Sequence, residues 1–419
     1  MILPAVPVAG ASGVVTCGTT ITKSTTLKAN LVDCSEDGII IGASGITLNC
    51  AGHSISWGEV DSPTSASETP STVGVLSSGR SHVTVENCNV YDFDSEIYFT
   101  GGSYNTFSGN TVSDDQEAGI YLVNEAHDTV TGNTAYDNYW GYALQSSTYV
   151  TLTGNYGFSN YNAFNLACGS HNTLSSNIAT DNAEGYHMFA ETSDTLTGNY
   201  AQYNGNGFSL NEGGLNTLVK NTGSYNGFNF GFYVYEEYND TFTQNVAKWN
   251  DGHGFLVYDG EFNVFNGNTA YANGGSGFHV QYEVGDTFTA NVASFNSVED
   301  DSAGFYLYEN CGTNMTGNIS NNNGGAGYYA YDEAGNECSE YTLQAVWSGN
   351  TANSDSNGFN LQGGSYGLIL THNLAGYNND WGFLDSNAAD NTYGTFGTPT
   401  GNICVDDSSS PAYICGGSG

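Results

Sequence analysis

The sequence predicts an all-β solenoid, a single right-handed parallel β-helix of about 14 coils with roughly 22 residues in each. Three observations predict it. A short phrase ending in Asn returns at a nearly fixed interval, first clearly at Asp128–Asn133. A second Asn, such as Asn138, follows five residues later, and Gly with an aromatic residue, such as Gly141-Tyr142, follows that. A fixed period of this length is typical of solenoids, whose coils stack on one another.

The closing Asn of the phrase recurs at one position in each coil. It is found at Asn110, Asn133, Asn155, Asn177, Asn199, Asn221, Asn245, Asn268, Asn291 and Asn318, and then at Asn350 and Asn373. Asp115 and Asp355 replace the second Asn in two of the coils. Stacked Asn residues form amide ladders, so we expect Asn ladders along the turns. The alternative is that Asn only tolerates the left-handed backbone of a turn.

Each coil reads as three short strands. Thr195-Leu196-Thr197 alternates polar and apolar residues, as a half-buried strand does. Small Ala201 lies in the next strand, and Gly207-Phe208 opens a third. Because one coil cannot bury its own apolar face, the coils are expected to stack at about 4.8 Å.

The repeats resemble the PbH1 repeat of parallel β-helix proteins, including NosD-like and carbohydrate-active members. The opening segments Cys17–Thr22, Leu31–Cys34 and Ile46–Ile55 are similar to the first coils of secreted archaeal and bacterial surface or sheath solenoid proteins. The resemblance implies the fold. It does not choose a function, because the family includes lyases, epimerases, hydrolases and non-catalytic surface proteins.

The predicted organisation is one elongated body. Residues 1–11 read as a signal remnant or disordered start, and 12–37 as an N-terminal cap. Residues 38–403 form the β-helix, with a loop insertion at 56–72, and 404–419 form a C-terminal tail closed by a disulfide. A cap is expected because an uncovered first coil offers bare strand edges.

Nine cysteines without zinc-type spacing indicate an oxidising, extracellular or cell-envelope location. Stacking places Cys50 and Cys88 at the same coil position, at a distance that suits a disulfide. The predicted pairs are Cys17–Cys34, Cys50–Cys88, Cys311–Cys338 and Cys404–Cys415. Cys168 remains, either as a buried free thiol or, because its turn looks exposed, as an intermolecular disulfide.

The chain is strongly acidic. Five Lys and Arg against 43 Asp and Glu give a formal net charge of −38, which excludes a nucleic-acid partner. Acidic residues recur in the turn before the Thr strands, where we expect a solvated carboxylate ridge. No cofactor is required, but hard oxygen ligands at this density suit calcium. The candidate metal ligands are Glu236, Glu237, Asp240, Asp300 and Asp301, and the alternative is the solvated surface of a halophile.

No catalytic residue is predicted. Arg80 and the four lysines form no cluster, which disfavours a lyase acting on uronates. Gly252-His253-Gly254 matches one of four motifs known from polygalacturonase-type hydrolases, but it lies within the ordinary Gly-aromatic turn. The eight histidines show no metal-type spacing.

Alternation along the Gly-aromatic strands predicts a strip of outward tyrosines. The strip comprises Tyr233, Tyr235, Tyr258, Tyr306, Tyr308, Tyr329 and Tyr331. Such a strip could stack sugars or pack against a second subunit, or could be scattered exposed Tyr in a Tyr-rich protein. Sequons at Asn239, Asn314 and Asn318 are candidate glycosylation sites.

These features favour an extracellular structural protein that self-assembles into an envelope layer, sheath or filament. The alternative is a carbohydrate-active enzyme or polysaccharide-binding protein on the same fold, and a third hypothesis is a calcium-binding adhesin. The expected partners are further copies of the chain or a polysaccharide, with no nucleic acid and no membrane span.

Overall fold

The computed structural model describes residues 15–58, 70–227, 229–297, 302–333, 344–363, 365, 367–386, 391–393, 401–405, 409–410 and 414. These residues form three long parallel sheets with 17, 16 and 16 strands, named here sheets A, B and C. The chain visits the three sheets in turn in each coil, and strands of successive coils pair in parallel. The predicted right-handed parallel β-helix with three strands per coil is confirmed.

Sheet A contains the Gly-aromatic strands: Thr19–Ile21, Ile39–Ile41, Val73–Ser78, Ser95–Thr100, Ala118–Val123, Trp140–Gln145, Asn162–Ala167, Glu184–Phe189, Asn206–Asn211, Phe232–Tyr235, Phe255–Tyr258, Phe278–Gln281, Ala303–Tyr308, Ala326–Tyr331, Phe359–Gln362, Phe383–Asp385 and Ser409–Ser410. Sheet B contains the Thr strands: Thr25–Thr26, Thr47–Asn49, Thr84–Glu86, Thr106–Ser108, Thr129–Thr131, Thr151–Thr153, Thr173–Ser175, Thr195–Thr197, Thr217–Val219, Thr241–Thr243, Val264–Asn266, Thr287–Thr289, Asn314–Thr316, Val346–Ser348, Ile369–Thr371 and Thr392–Tyr393. Sheet C contains the strands after the closing Asn: Leu31–Cys34, Ser54–Trp57, Asn89–Tyr91, Thr111–Ser113, Thr134–Tyr136, Tyr156–Phe158, Ile178–Thr180, Tyr200–Gln202, Thr222–Ser224, Val246–Lys248, Thr269–Tyr271, Val292–Ser294, Ile319–Asn321, Thr351–Asn353, Leu374–Gly376 and Ile403–Val405.

Like residues stack above one another inside the helix. Phe208 pairs in register with Phe232, which pairs with Phe255. Their ring centroids are 4.8 and 4.7 Å apart, and the rings are nearly parallel. All three side chains are fully buried, and each such burial is worth about 1.5–3 kcal/mol. The core is therefore a column of rings between the sheets.

The Asn ladder is confirmed in hydrogen bonds. Asn177 Nδ2 donates to Asn199 Oδ1 and to the Leu152 carbonyl, each at 3.0 Å, and the Asn177 amide donates to the same Asn199 oxygen. The ten Asn residues predicted from Asn110 to Asn318 are at most 1% exposed. Each side chain thus satisfies backbone groups of the adjacent coil that would otherwise be buried without partners.

Two disulfides lie at the N-terminal end. Cys17 is bonded to Cys34 and Cys50 to Cys88, with Cα–Cα distances of 5.5 and 4.7 Å. Cys311 and Cys404 are also disulfide-bonded. Their predicted partners, Cys338 and Cys415, lie outside the described residues, so those pairings stay predictions.

The ends of the helix differ in detail from the predicted organisation. Strands of all three sheets already occur between Thr19 and Cys34, within the predicted cap. Ser54–Trp57 is a sheet C strand with Ser56 buried, so the insertion predicted at 56–72 begins after Trp57. Residues 1–14, 59–69 and most of the predicted tail lie outside the described residues. Within the described part of the chain, no helix has the length and apolarity needed to cross a membrane.

Candidate functional site: the outer face of sheet A

Three columns of side chains point outward from sheet A. Strand Trp140–Gln145 contributes Trp140, Ala143 and Gln145, and the following strand places Asn162, Asn165 and Ala167 in register beside them. Within a column the residue type changes from coil to coil, unlike the constant aromatic column inside. The outer face of sheet A is therefore not repetitive, in contrast to the core beneath it.

Aromatic rings form one end of this face. Tyr98 contacts Tyr121 at a centroid distance of 5.3 Å, and Tyr121 contacts Trp140 at 6.1 Å, both edge to face. Phe189, 37% exposed, lines a mainly apolar cavity of about 230 Å³ together with Tyr121 and Trp140. This region, named here the Trp140 patch, offers ring surface beside a cavity of small volume.

A polar cluster follows immediately along the rod. It comprises Asn162, Asn165, Glu184, His187, Asn206 and Ser209, contributed by three adjacent strands. Asn165 Oδ1 accepts hydrogen bonds from Asn162 Nδ2 at 3.2 Å and from His187 Nδ1 at 2.9 Å. Asn206 Nδ2 donates to Glu184 Oε1 at 3.2 Å. These contacts fix the orientation of five of the six side chains in the cluster.

Three polar atoms of this cluster are buried without a hydrogen-bond partner: Asn162 Oδ1, Asn206 Oδ1 and Ser209 Oγ. Asn162 is 4% exposed and Ser209 is 1% exposed. A buried polar group left unpaired costs about 1–3 kcal/mol. Such groups favour a ligand that carries hydrogen-bonding groups, and His279 Nδ1 on the same face is likewise unpartnered.

The predicted tyrosine strip lies on the same face, beyond the polar cluster. Tyr306 stacks on Tyr329 at 4.9 Å and Tyr308 on Tyr331 at 5.2 Å. Tyr233, Tyr235 and Tyr258 form a second group, with ring centroids 6.1 and 5.6 Å apart. The seven side chains are partly buried, except Tyr331, which is exposed. The polar cluster is thus flanked by aromatic residues on both sides.

His253 and His279 lie between the two tyrosine groups, with ring centroids 4.5 Å apart. Burial lowers the pKa of His253 to about 3, and burial also lowers the pKa of His279. Both rings are therefore neutral at physiological pH. His253 Nδ1 accepts the Ser276 amide at 2.9 Å, which gives the histidine of the Gly252-His253-Gly254 segment a structural contact.

The strands of sheet A carry no Lys or Arg. Lys248 lies on sheet C, and Arg80 is an exposed turn residue. A cation is the usual means of neutralising an acidic sugar in a binding site. The outer face of sheet A is consequently suited to a neutral ligand.

Four carboxyl groups cluster near the Trp140 patch: Asp94, Glu96, Asp115 and Glu117. Asp94 accepts hydrogen bonds from the amides of Ser71 and Thr72 at 2.9 and 3.0 Å. Burial, with a contribution from Asp94, raises the pKa of Glu117 to about 7. All four are at most 7% exposed, and burial raises the pKa of Asp115 to about 8. Asp115, which replaces the second Asn of its coil, is therefore a buried carboxyl group.

The expectation of a solvated carboxylate ridge before the Thr strands is wrong. Glu237 and Asp240 are at most 1% exposed. Glu237 Oε1 accepts the Gly213 amide at 2.9 Å, and its Oε2 accepts Asn216 Nδ2 at 3.3 Å. Asp240 Oδ1 accepts the Asn216 amide at 2.7 Å. These carboxyl groups point inward because the donors of the preceding coil need acceptors.

The candidate metal ligands do not assemble in the described residues. Glu237 and Asp240 are buried, Glu236 is partly buried beside them, and Asp300 and Asp301 lie outside the described ranges. Among the residues with a described placement, no group of three or more His, Cys, Asp or Glu could hold a metal ion. Calcium stays a prediction.

The candidate intermolecular thiol and the candidate glycosylation sites lie outside the strands of sheet A. Cys168 is a free, exposed thiol in a turn. Asn239 is exposed and Asn314 is half-buried, with its Oδ1 accepting the Val346 amide. The prediction that Asn318 is a glycosylation site is wrong. Its side chain is fully buried, and its Nδ2 donates to Asn350 Oδ1 and to the Phe288 carbonyl.

Sequence reasoning missed a stack of exposed rings in the turns between sheets A and B. His and Tyr alternate in five successive coils with centroid distances of 4.8–5.2 Å. The members are His82, Tyr104, His127, Tyr149 and His171. It also missed the polar cluster, whose signal is visible only when outward positions of neighbouring coils are aligned by register.

Comparisons with known proteins agree with the fold. Residues 59–230 match the family model described as periplasmic copper-binding protein (NosD), which covers less than half of the chain. The described residues, which contain no metal-type cluster, do not fit a copper site. No curated protein matches this sequence.

Several solved structures are similar in fold at low identity. An alginate lyase of the PL6 type in complex with a trisaccharide is 10% identical, with a TM-score of 0.46, 73% of this chain covered and 80% of that chain. The GH87 α-1,3-glucanase from Streptomyces thermodiastaticus is 11% identical, with a TM-score of 0.39 and 94% and 63% covered. XylC with xylose is 11% identical, with a TM-score of 0.38, and the match spans 50% of this chain and only 43% of that one. Likenesses at this level decide nothing about activity.

The parallel register of the three sheets and the repeating coil define the fold class of this chain. The chain has the right-handed parallel β-helix fold.

Proposed function

We propose that this protein binds a neutral, hydroxyl-rich polysaccharide along the outer face of sheet A, outside the cytoplasm. The observation that carries the proposal is the polar cluster, with buried unpartnered atoms on Asn162, Asn206 and Ser209 between two groups of aromatic residues. Sugars present apolar C–H faces and hydroxyl groups together, and aromatic rings with fixed amides and hydroxyls match that combination.

Binding is favoured over hydrolysis by the number of accessible carboxyl groups. Glycosidases generally use a pair of carboxyl groups flanking the scissile bond. The polar cluster contains one, Glu184, which already accepts a hydrogen bond from Asn206. The four carboxyl groups near the Trp140 patch, Asp94 among them, are at most 7% exposed, and Asp94 already accepts hydrogen bonds from the Ser71 and Thr72 amides. The pattern supports a polysaccharide-binding protein rather than a hydrolase.

The expected behaviour is tested by calorimetric titration with neutral oligosaccharides of glucose, xylose, mannose and N-acetylglucosamine, with oligouronates as the acidic comparison. Trp140→Ala should weaken binding of the neutral ligand about tenfold, the loss expected for one ring contact. Tyr156→Ala, an exposed aromatic residue on sheet C, is the matched control and should bind as the native protein does. Binding of oligouronates alone, or of no saccharide, would sink the proposal.

Ser209→Ala separates binding from folding. Its hydroxyl is buried and unpartnered, so its removal should raise the unfolding temperature slightly while it weakens saccharide binding several-fold, by about one hydrogen bond. A purely structural Ser209 would not move the two measurements in opposite directions.

Self-assembly into a sheath or filament is the second candidate. The observation that favours it is the exposed free thiol of Cys168 on an extended rod. Electron microscopy of the native protein and of Cys168→Ser tests it.

A further inference from the structure

The turn between sheets C and A changes character halfway along the rod. One residue of this turn has a positive φ in almost every coil. In the early coils it is mostly acidic, at Asp92, Asp114, Asp137, Ser159 and Asp181. From the next coil it becomes aromatic, at Tyr203, Tyr225 and Trp249, and again at Phe295.

Aromatic residues are unfavourable at these positions. The φ angles of Tyr203, Tyr225 and Trp249 are 56°, 54° and 55°. The left-handed region favours Gly, Asn and Asp, and another residue costs roughly 1–2 kcal/mol there. Ala272, Asn322 and Ser354 occupy the same turn in later coils, so closing the turn does not require a ring. Positive φ is common in the turns of this fold, including Tyr104 and Tyr149, so the inference rests on the exposed row that the rings form.

The rings form a continuous exposed row, named here the aromatic ridge. It comprises Tyr203, Tyr225, Trp249, Tyr271 and Phe295, which are 54, 42, 39, 38 and 54% exposed. Successive ring centroids are 4.9–6.0 Å apart. An apolar row of this extent marks an interaction surface.

A neutral partner fits the ridge better than a second copy of this chain. Two chains of net charge −38 repel each other, and the one cation at the ridge, Lys248, lies 4.6 Å above the Trp249 ring centroid. Tyr203 and Tyr225 stack with 24° between their ring planes and are 54 and 42% exposed. Exposed rings that carry a phenol hydroxyl suit a sugar chain, which combines C–H surface with hydroxyl groups.

The ridge is continuous with the outer face of sheet A. Tyr203 lies three residues before Asn206, the polar-cluster residue at the start of the next sheet A strand. Trp249 lies in the same coil as His253 and Leu256 of the outer face. The two surfaces therefore meet along one edge of the rod.

We propose that the aromatic ridge holds a second sugar chain beside the chain on sheet A, so that the protein binds packed, insoluble neutral polysaccharide. This inference rests on the proposed function. A single dissolved chain needs only the outer face of sheet A. In a packed bundle, a neighbouring sugar chain lies at an angle to the chain bound on sheet A. The aromatic ridge extends the contact surface of the protein to that neighbouring sugar chain.

The test uses the triple variant Tyr203→Asn, Tyr225→Asn, Trp249→Asn in the full chain. Asn is accommodated at positive φ, so the unfolding temperature should be unchanged or higher. Binding to washed particles of cellulose, curdlan, xylan and chitin should fall about tenfold or more for the polysaccharide that the native protein binds. Titration with the corresponding soluble oligosaccharide should be unchanged.

The matched control is Tyr104→Asn, Tyr149→Asn. These two residues are also exposed and have φ angles of 57° and 56°, but they lie in the turn between sheets A and B. The control should bind particles as the native protein does. If the ridge variant keeps particle binding while the oligosaccharide still binds, the inference is overturned and the proposed function stands. If the native protein binds neither particles nor oligosaccharides, both are overturned.

Discussion

At the scale of single residues, the structure depends on amide side chains that act as backbone substitutes. Asn177 Oδ1 accepts two hydrogen bonds from Asn155, one from its amide at 2.9 Å and one from its Nδ2 at 3.0 Å. Asn177 Nδ2 donates to the coils on either side. Asp can replace the acceptor but not the donor, which explains why this column contains only Asn from Asn110 to Asn373, whereas Asp115 and Asp355 occur in the column of the second Asn.

Asn177→Ala should therefore be strongly destabilising. It removes four hydrogen bonds and leaves the Asn155 amide and one N–H of Asn155 Nδ2 buried without an acceptor, while the other N–H still donates to the Val130 carbonyl. The expected loss is roughly 3–5 kcal/mol in the free energy of unfolding. Urea unfolding measures it, with Asn266→Ala on the exposed face of sheet B as control. A loss as small as that of the control would show that the ladder contributes only turn geometry.

At the scale of the structural element, the turn before sheet B repeats every two coils rather than every coil. Asn172, Asp194, Asn216, Asp240, Asn263 and Asp286 alternate, and each Asn or Asp oxygen accepts the amide of the preceding member. A Glu accompanies each of these Asp residues: Glu191, Glu237 and Glu283. The repeating unit of this turn is thus two coils rather than one.

Each Glu–Asp pair places two buried carboxyl groups next to each other. Asp240 Oδ2 has no hydrogen-bond donor and faces the Glu237 carboxyl group. Burial, together with the neighbouring Asp240, raises the pKa of Glu237 to about 10, and burial raises that of Asp240 to about 7. Two buried carboxylates without a cation would repel each other, so one must carry the proton.

Stability should accordingly fall as the pH rises. The folded pKa values exceed the unfolded values near 4, so the contribution of each pair is fully present below about pH 4 and is lost as the pH rises through the folded pKa values. We expect the unfolding temperature to fall between pH 5 and pH 9, a window set by the raised pKa values of Asp240 and Glu237.

The variant Asp194→Asn, Asp240→Asn, Asp286→Asn checks the cause. The new amide supplies a permanent donor to the Glu carboxylate and keeps the acceptor for the preceding coil. It should flatten the pH dependence and raise stability at pH 9. Asp137→Asn, an exposed substitution, serves as control. An unchanged slope in the triple variant would assign the pH dependence to groups elsewhere.

At the scale of the whole molecule, periodicity predicted the fold and could not predict the site. The Asn of each coil and the Gly-aromatic pair recur because stacking demands them, and so they are readable in a single sequence. The polar cluster consists of residues such as Asn165, His187 and Ser209 that occur once each. The burial of Glu237 and Asp240 was missed for a different reason: acidic residues in a turn look solvated until the donors of the preceding coil are known.

The net charge of −38 bears on the choice between binding and self-assembly. Like-charged rods repel over a Debye length of roughly 30 Å at 0.01 M salt, but of only about 3 Å at 1 M. We expect electron microscopy without reductant to show separate rods at both salt concentrations, with any Cys168-linked pairs absent in Cys168→Ser. Separate rods at 1 M salt, where repulsion is screened, would mean that the surface is not self-complementary. Ordered filaments or sheets that disappear on reduction or in Cys168→Ser would establish the structural role instead, and polysaccharide binding would then have to be sought on the assembled form.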